Sequence, residues 1–432
     1  MTLMGIVFVL TFLIGIPVGF CLGISGIIGL LTSTTANINV AAVRMYTSLD
    51  SFALIAIPLY VVMGYLMEKA GALERLLKFL QLLLGSIKGG MAYLNVLISM
   101  LFAGISGSAV ADASSLGYLE IKLMEETGIP RDFSGALTAS SAVIGPIIPP
   151  SLAMVVYALA IGSRGGVSIG GLLVAGILPG VLLGVSLIVA SFFYVNKKGI
   201  REHITTYPRA SIKEILIGTW KALPILFLPV VIIGGILAGV FTVTEAAAVG
   251  IFYTLILGFF VTKDLKLLDI PPIMIKAAIT TGTVILVFGA SSLVSWMFTI
   301  NGIPVKIATA VTNFTNSKYV FMFLTVLVLF IVGCIMEQNA AIVMLAPILY
   351  PISVTLGIPA YQFGLIFVLC IEMGLLTPPV GILLFITSSV GKIPLNKLIK
   401  RVLPLFLVET MVVVLMVFIP QITTALPKFF GY

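Results

Sequence analysis

One segment in the first third of the chain reads Ser99-Met-Leu-Phe-Ala-Gly-Ile-Ser-Gly-Ser-Ala-Val-Ala-Asp-Ala-Ser-Ser-Leu-Gly117. It begins as an apolar run and then becomes small, polar and rich in glycine. In a bilayer each unsatisfied polar group costs several kcal/mol, so such backbone survives only where it is buried in protein or lines a cavity. The segment therefore predicts an interrupted helix inside a membrane protein.

The composition places the rest of the chain in a membrane as well. Of its 432 residues, 60% are hydrophobic and 9% are charged, whereas soluble domains carry about 25% charged residues. The net charge of +8 is no sign of a nucleic-acid partner, because the basic residues lie in short connections between apolar runs, where the positive-inside bias puts them. We predict a polytopic, all-α membrane protein.

The residue types needed for several other chemistries are missing or poorly placed. Cys21, Cys334 and Cys370 lie in apolar stretches and the single His203 lies in a basic loop, so no disulfide framework or transition-metal site is predicted and the cysteines are interpreted as packing residues. An intramembrane enzyme would need a nucleophile and a base. The sequence contains no phosphate-binding loop with the Gly-Lys-Ser/Thr ending, so ATP is not expected as a cofactor.

Read in order, the first half predicts several spans. Residues 3–31 are expected to form a retained membrane segment that Pro17 kinks or splits, and residues 68–90 an amphipathic helix on the cytoplasmic surface. Glu245 follows Thr242 in an external connection and is interpreted as a capping residue of the next helix. Further spans are predicted at 52–67, 168–195 and 217–240.

The second half of the chain repeats the backbone-breaking residues of the first half. A shift of 229 residues carries Gly128-Ile-Pro130 onto Gly357-Ile-Pro359. What is duplicated is therefore the shape of two interrupted helices. The connection at 120–132 is charged and its counterpart at 345–363 is not, which favours inverted repeats, although hydropathy alone leaves the number of crossings open. The same shift matches four further sets: Gly104 with Gly333, Gly135 with Gly364, Gly145 with Gly374, and Pro149-Pro150 with Pro378-Pro379.

Four motifs follow one another along the chain: Phe102-Ala-Gly-Ile-Ser-Gly-Ser-Ala-Val-Ala-Asp112, Gly145-Pro-Ile-Ile-Pro-Pro150, Phe241-Thr-Val-Thr-Glu-Ala-Ala-Ala-Val-Gly250 and Glu372-Met-Gly-Leu-Leu-Thr-Pro-Pro-Val-Gly381. In this order they resemble the large membrane subunit of tripartite ATP-independent periplasmic (TRAP) transporters, and the resemblance runs from the first span to the last. It implies an inverted-repeat, elevator-type secondary transporter with two interrupted-helix hairpins in a bacterial inner membrane. It also implies sodium-coupled uptake of an organic acid anion, such as a C4-dicarboxylate or sialic acid.

The partners that the resemblance implies are a small four-helix membrane subunit of the Q type, a periplasmic substrate-binding protein of the P type and membrane lipid. It also implies a division into a scaffold and a sliding transport domain. The expected segments are N-terminal scaffold helices with an amphipathic arm (1–90), the first transport-domain repeat (91–165), scaffold helices (166–275), a second arm (276–318), the second transport-domain repeat (319–390) and a C-terminal helix (391–432).

The two helix breaks are the predicted sodium sites. A hard cation prefers oxygen ligands, and an interrupted membrane helix supplies freed carbonyls and the negative ends of helix dipoles. The first site is predicted at Ser106, Gly107, Ser108, Asp112, Ser140, Ser141, Gly145 and Pro146. The second is predicted at Glu337, Asn339, Gly374, Thr377 and Pro378.

The anion is expected between these two sites, facing the hairpin tips and the starts of the half-helices. The interrupted helices contain no Lys or Arg. We therefore expect Ser, Thr, Asn and backbone amides to bind the carboxylate of the anion, unless a basic residue from a connection contacts it. The open candidates for that basic residue are Arg44, Arg131, Arg164 and Lys306. The predicted substrate-binding residues are Ser108, Ser114, Ser115, Pro149, Pro150, Ser151, Glu337, Asn339, Glu372 and Pro379.

Three other interpretations compete with this one. The small residues of the broken segments could serve helix packing alone. An ion channel would also expose carbonyls at broken helices, but it would present a continuous pore. The nearest alternative is a stand-alone sodium-coupled dicarboxylate carrier, which would need no binding protein.

Overall fold

The computed structural model describes most of the chain, and at 103–106 it describes the backbone alone. The described residues fold as helices and connections without a β-strand, in agreement with the all-α prediction. Eight helices in this part are long and apolar enough to cross a membrane. The described residues are 2–32, 37–162, 166–303, 306, 309–310, 315, 317–378 and 380–432.

The N-terminal apolar segment forms two helices, α1 (Thr2–Leu13) and α2 (Val18–Leu31), so Pro17 splits it and does not merely kink it. Gly29 packs against the side chain of Met4, which shows that the two helices run antiparallel. With 12 and 14 residues, each is about 20 Å long and falls short of the bilayer core of about 30 Å. The segment is therefore a helical pair and not one span.

The next helices lead to the surface arm. After α3 (Asn39–Leu49), a 3₁₀ turn continues as α4 (Ala56–Lys69), and Gly71 in the left-handed conformation turns the chain into α5 (Ala72–Leu84). Helix α5 buries leucines on one face and carries charge on the other, so the amphipathic helix predicted at 68–90 is present. Arg75 joins it to the connection at 263–266 through Asp264, at 3.0 Å.

The first repeat forms a hairpin and then a broken helix. Asn95 Nδ2 donates to Glu120 Oε2 at 2.7 Å, joining residues equally far from the turn at 107–108, so the arms of the hairpin run antiparallel. The backbone between residues 143 and 151 then leaves the helical conformation at the glycine and prolines that predicted the break. The helices are α6 (Gly90–Ser106), α7 (Ala109–Ser115), α8 (Gly117–Glu126), α9 (Arg131–Ala142) and α10 (Leu152–Ile161).

Four long helices separate the repeats. Glu245 accepts from the Thr242 backbone N–H at 2.8 Å, while Thr242 Oγ1 accepts from the Glu245 N–H at 3.3 Å, which confirms its predicted capping role. The last of these helices runs through the predicted boundary between residues 275 and 276, and the six-segment division itself stays a prediction. The helices are α11 (Ile169–Val195), α12 (Ile212–Leu237), α13 (Val243–Ile256, continued by a π-helical turn Leu257–Thr262) and α14 (Ile270–Ile300).

The second repeat copies the first. The rings of Phe321 and Phe363 stack at 6.0 Å and Gly333 packs on Gly374, so the first hairpin arm runs parallel to the broken helix. The two arms of this second hairpin are 18-residue helices. The hairpin returns to the side of the membrane from which it entered, although each arm is long enough to span the membrane. The helices are α15 (Lys318–Ile335), α16 (Gln338–Thr355), α17 (Ala360–Gly374) and α18 (Ile382–Gly391), followed by α19 (Leu395–Phe418) and α20 (Gln421–Phe429).

The repeats are inverted and interlocked. Between the start of one hairpin and the start of the other, the described helices that cross are the α9–α10 broken helix and α11, α12, α13 and α14, an odd number. Helix α10 of the first repeat packs on α16 of the second, and α18 of the second packs on α7 of the first. The basic connections gather at the end where the first repeat begins, which the positive-inside bias assigns to the cytoplasm. Ion pairs at this end are Lys69–Asp269, Arg75–Asp264, Lys122–Glu126, Arg131–Glu125 and Arg401–Asp132.

The contact between Gly333 and Gly374 yields a stability prediction. A Cβ atom on Gly374 would lie 2.6 Å from the Gly333 Cα, so Gly374→Val should lower the thermal unfolding temperature of the purified protein, with an overpacking cost of about 1–3 kcal/mol. Gly282 in α14 has open space where its Cβ would lie, so Gly282→Val serves as the control. Equal unfolding temperatures for the two variants would contradict the close packing of hairpin and broken helix.

Candidate functional site

The first hairpin tip lies directly on the first broken helix. Gly107, with φ of +59°, is so close that a Cβ would lie 2.7 Å from the Pro150 carbonyl oxygen. Gly145 lies against the backbone of Ser108. Ser151 caps the second half-helix by accepting from the Met154 N–H at 3.2 Å, and its hydroxyl donates to the Pro146 carbonyl. The predicted tip and break therefore form one unit.

The second tip meets the second break in the same way. The Gly381 N–H donates to the Cys334 carbonyl at 3.3 Å, and the Cys334 thiol donates to the Thr377 carbonyl at 3.0 Å. Thr377 Oγ1 donates to the Gly374 carbonyl at 2.7 Å. Pro378 is exposed at this break, and the predicted Pro379 lies outside the described residues.

The two tips begin their second arms with equivalent capping residues. Ser108 and Glu337 are separated by the repeat shift of 229, and each accepts from the backbone N–H three residues later, at 3.4 and 3.0 Å. Glu337 also accepts from Asn339 Nδ2 at 2.8 Å. A carboxylate at the tip attracts a cation and repels an anion, so the position of Glu337 fits its predicted sodium role better than its predicted substrate role.

Both tips face a cavity of about 490 Å³, a volume in the usual range for small-molecule sites. Of the predicted site residues, Ser108, Ser114, Ser115, Glu337 and Asn339 meet on its wall. The wall opposite the tips comes from α4 and α14. Its lining residues are Val61, Gly64, Tyr65, Glu68, Phe102, Ser108, Val110, Ala111, Ser114, Ser115, Leu152, Lys276, Thr280, Glu337, Gln338, Asn339, Leu375 and Ile382.

The remaining predicted substrate residues do not line this cavity. Pro149 and Pro150 border a small apolar crevice against α11 and α12, and Ser151 is buried as a cap. Glu372 is fully buried, and with the Gln338 amide oriented toward it, Gln338 donates to both of its carboxylate oxygens at 2.8 Å. Sequence spacing could not show that these residues face helices and not the cavity.

A buried polar cluster lies between the hairpin arms and α9. Asn95 Nδ2 donates to Thr138 Oγ1 at 2.8 Å as well as to Glu120, and Ser141 Oγ donates to Asn95 Oδ1 at 3.2 Å. The predicted Ser141 belongs to this cluster, and the hydroxyl of the predicted Ser140 is buried without a partner among the described residues. Sequence reasoning missed Asn95 and Glu120. The signal that could have found them is that the two residues are equally far along the chain from the turn at 107–108.

Asp112 is the least satisfied group near the first tip. It is 2% exposed, and neither carboxylate oxygen has a hydrogen-bond partner among the described residues. Ser99 and Glu120 are its polar neighbours. An unpaired buried carboxylate is expensive, and the cation role of Asp112 stays a prediction. The side chain of Ser106 lies outside the described residues.

Three of the four basic residues suggested for the carboxylate are described, and none of these three is on the cavity wall. Arg44 lies over the Trp296 ring at 5.3 Å, and Arg131 donates to the Gly391 carbonyl at 2.8 Å and pairs with Glu125. Lys306 is exposed and also lines no part of this cavity, and Arg164 lies outside the described residues. The basic residue that does line it is Lys276 of α14, which the sequence analysis did not consider.

Inverted repeats, re-entrant hairpins and a polar cavity at their tips define a membrane permease for a small polar solute. The relatives of this chain agree with that class. Residues 4–422 match the family described as "Tripartite ATP-independent periplasmic transporter, DctM component", and the chain belongs to this family.

Two bacterial proteins and one solved structure illustrate the family and the fold. The chain is 38% identical to the sialic acid TRAP transporter large permease protein SiaM of Vibrio cholerae, covering 97% of this chain and 96% of the relative. It is 36% identical to the C4-dicarboxylate TRAP transporter large permease protein DctM of Pseudomonas aeruginosa, covering 95% and 94%. The Alcanivorax borkumensis YdaH transporter shares the fold, with a TM-score of 0.65 over 92% of this chain and 91% of that one at 15% identity.

These findings confirm the family, the transporter class and the inner-membrane location. The chain is a permease subunit of this family and not an enzyme. Its family works with a substrate-binding protein and usually with a small membrane subunit, which disfavours the stand-alone carrier.

The lining residues predict from which side the cavity is reached. They run from the hairpin tips at mid-depth to Glu68 and Lys276 near the basic end, so a membrane-impermeant maleimide should label Ser114→Cys faster in inside-out vesicles than in right-side-out vesicles. Ser134→Cys, at a fully buried position, should stay unlabelled, and the native cysteines are buried. Faster labelling of Ser114→Cys from the periplasmic side would contradict this orientation.

Proposed function

We propose that this chain performs sodium-coupled uptake of an organic acid anion that a periplasmic binding protein delivers, together with a small Q-type membrane subunit. The observation that carries the proposal is the shared cavity, whose wall joins both hairpin tips. One relative carries sialic acid in its name and another a C4-dicarboxylate, and both substrates are carboxylates. The substrate class proposed here is therefore a carboxylate anion.

Oxygen atoms at the tips support sodium as the coupling ion. Asp112 has two unpartnered carboxylate oxygens, and Asn339 Oδ1 is buried without a partner among the described residues. Glu337 places a carboxylate at the second tip. Hard cations prefer such oxygen donors. Sodium is a co-transported substrate in this proposal, with one ion at each tip.

Two sodium ions provide enough free energy for strong accumulation. Two sodium ions moving with a monoanion carry one net charge, worth about 2.3 kcal/mol at 100 mV. Two roughly tenfold gradients add about 2.8 kcal/mol. The sum of about 5 kcal/mol supports accumulation on the order of a thousandfold without ATP.

The packing supports an elevator type of movement. The second tip is hydrogen-bonded to its broken helix, the first tip is in close backbone contact with its own, and the repeats interlock through α10 on α16 and α18 on α7. Such a unit moves as one body. The cavity separates the tips from α4 and α14, so this is the interface along which we propose that the body slides.

Reconstitution tests the whole proposal. Proteoliposomes holding this chain and its small subunit should take up radiolabelled N-acetylneuraminate or succinate only with an inward sodium gradient and with the binding protein. Uptake with sodium but without the binding protein would support the stand-alone carrier. Uptake down the anion gradient that ignores sodium would reject the sodium sites.

Three variants test the tips. Asp112→Asn, Glu337→Gln and Ser108→Ala each remove an oxygen ligand or its charge, so each should raise the sodium concentration for half-maximal uptake, by about tenfold where the charge is lost. Membrane insertion should be unchanged. Ser186→Ala on α11, whose hydroxyl bonds only its own helix at Leu183, is the matched control. Normal transport by all three variants at limiting sodium would reject the site assignment.

A further inference from the structure

We propose that Lys276 supplies the positive charge that meets the substrate carboxylate while the cavity is open to the cytoplasm. This inference rests on the proposed transport of an organic anion and specifies which residue reads its charge. It assigns that role to a scaffold helix, α14, and not to the hairpins.

The charges on the cavity wall single out Lys276. The lining residues include two carboxylates, Glu68 and Glu337, and one basic residue, Lys276. None of the ion pairs among the described residues involves Lys276, whereas Lys69 and Arg75 at the same end of the protein are both paired. The Lys276 ammonium is therefore available to an anion that enters the cavity.

Tyr65 positions this ammonium group. Lys276 Nζ lies 6.0 Å from the centroid of the Tyr65 ring, and the Tyr65 hydroxyl shares a 3.0 Å hydrogen bond with Thr280 Oγ1. The cation–π contact stabilises the charge without using any of the three ammonium N–H donors. These donors are left for a ligand.

The opposite wall has few donors to offer a carboxylate. Ser114 and Ser115 donate their hydroxyls to the Ala111 carbonyl at 3.1 and 2.7 Å. The Asn339 amide donates to Glu337, and the Gln338 amide donates to Glu372. This wall therefore presents mainly acceptor oxygens, which suit a cation. A carboxylate is an acceptor too, so it needs the donors that Lys276 provides.

The position of Lys276 makes the contact specific to one state. It lies on α14, across the cavity from the tips, so a sliding hairpin unit would carry the substrate away from it. Loss of the charge should weaken substrate binding from the cytoplasmic side and leave binding from the periplasmic side nearly unchanged.

The experiment compares Lys276→Gln, Lys276→Arg and Lys198→Gln in oriented proteoliposomes. Lys198 is a lysine of the cytoplasmic loop that lines no part of this cavity, so its variant controls for the lost surface charge. The probes are N-acetylneuraminate and succinate, and half-saturation is measured separately for efflux from the cytoplasmic face and for uptake from the periplasmic face.

Lys276→Gln should raise the cytoplasmic half-saturation concentration about tenfold to a hundredfold, the effect of one charge-assisted hydrogen bond, with little change in maximal rate. Lys276→Arg should recover most of the loss, because it restores the charge. Lys198→Gln should behave like the wild type. The inference would be overturned if Lys276→Gln and Lys198→Gln had equal half-saturation concentrations at the cytoplasmic face. It would also be overturned if Lys276→Gln weakened substrate binding equally at both faces.

A binding measurement separates this inference from the proposed function. N-acetylneuraminate or succinate should raise the unfolding temperature of the purified wild type and of Lys198→Gln, but not of Lys276→Gln. That pattern supports the role of Lys276 even if reconstituted uptake fails. In that case only the proposed sodium-coupled uptake is rejected. An equal shift in all variants, or no shift in the wild type, would overturn it.

Discussion

A bilayer contains no water to hydrogen-bond a broken helix, and the structure depends on how the chain meets that constraint. Each break is covered by a hairpin tip that supplies partners or closes off the space. The Gly381 N–H is satisfied by the Cys334 carbonyl of the facing tip, and the Pro146 carbonyl by the Ser151 hydroxyl. Glycine is required where the backbones touch, at Gly107 against Pro150 and at Gly374 against Gly333.

Because each tip covers a break, the hairpins and broken helices cannot move independently without exposing backbone groups to lipid. Reciprocal packing of α10 on α16 and of α18 on α7 adds a second restraint. The cavity separates the tips from the α4–α14 pair. In the proposed elevator movement the whole unit slides along this boundary and the breaks stay covered.

The charged groups differ between the two sides of that boundary. The hairpin side carries Asp112, buried behind the first tip, and Glu337 at the second tip. The α4–α14 side carries Glu68 and the ammonium group of Lys276, with Tyr65 beside it. In the proposed mechanism the cation ligands travel with the hairpins while Lys276 stays on α14, so movement of one body past the other changes the surroundings of the anion.

Sequence alone determined the features that arise from local backbone chemistry and from composition. The Gly-Pro-Pro pattern predicted both breaks, since prolines remove amide donors and prevent a continuous helix, and the 229-residue shift showed that the two breaks are copies of each other. The capping by Glu245 and the arm at α5 follow from short-range patterns. Tertiary structure decided what depends on distance in space. It showed that α1 and α2 form a pair, that the repeats are inverted, that Glu372 is buried against Gln338, and that Lys276 reaches the cavity. A helix pattern reports which residues share a face, but the direction of that face depends on neighbours far away along the chain, and those neighbours brought together the groups of this site.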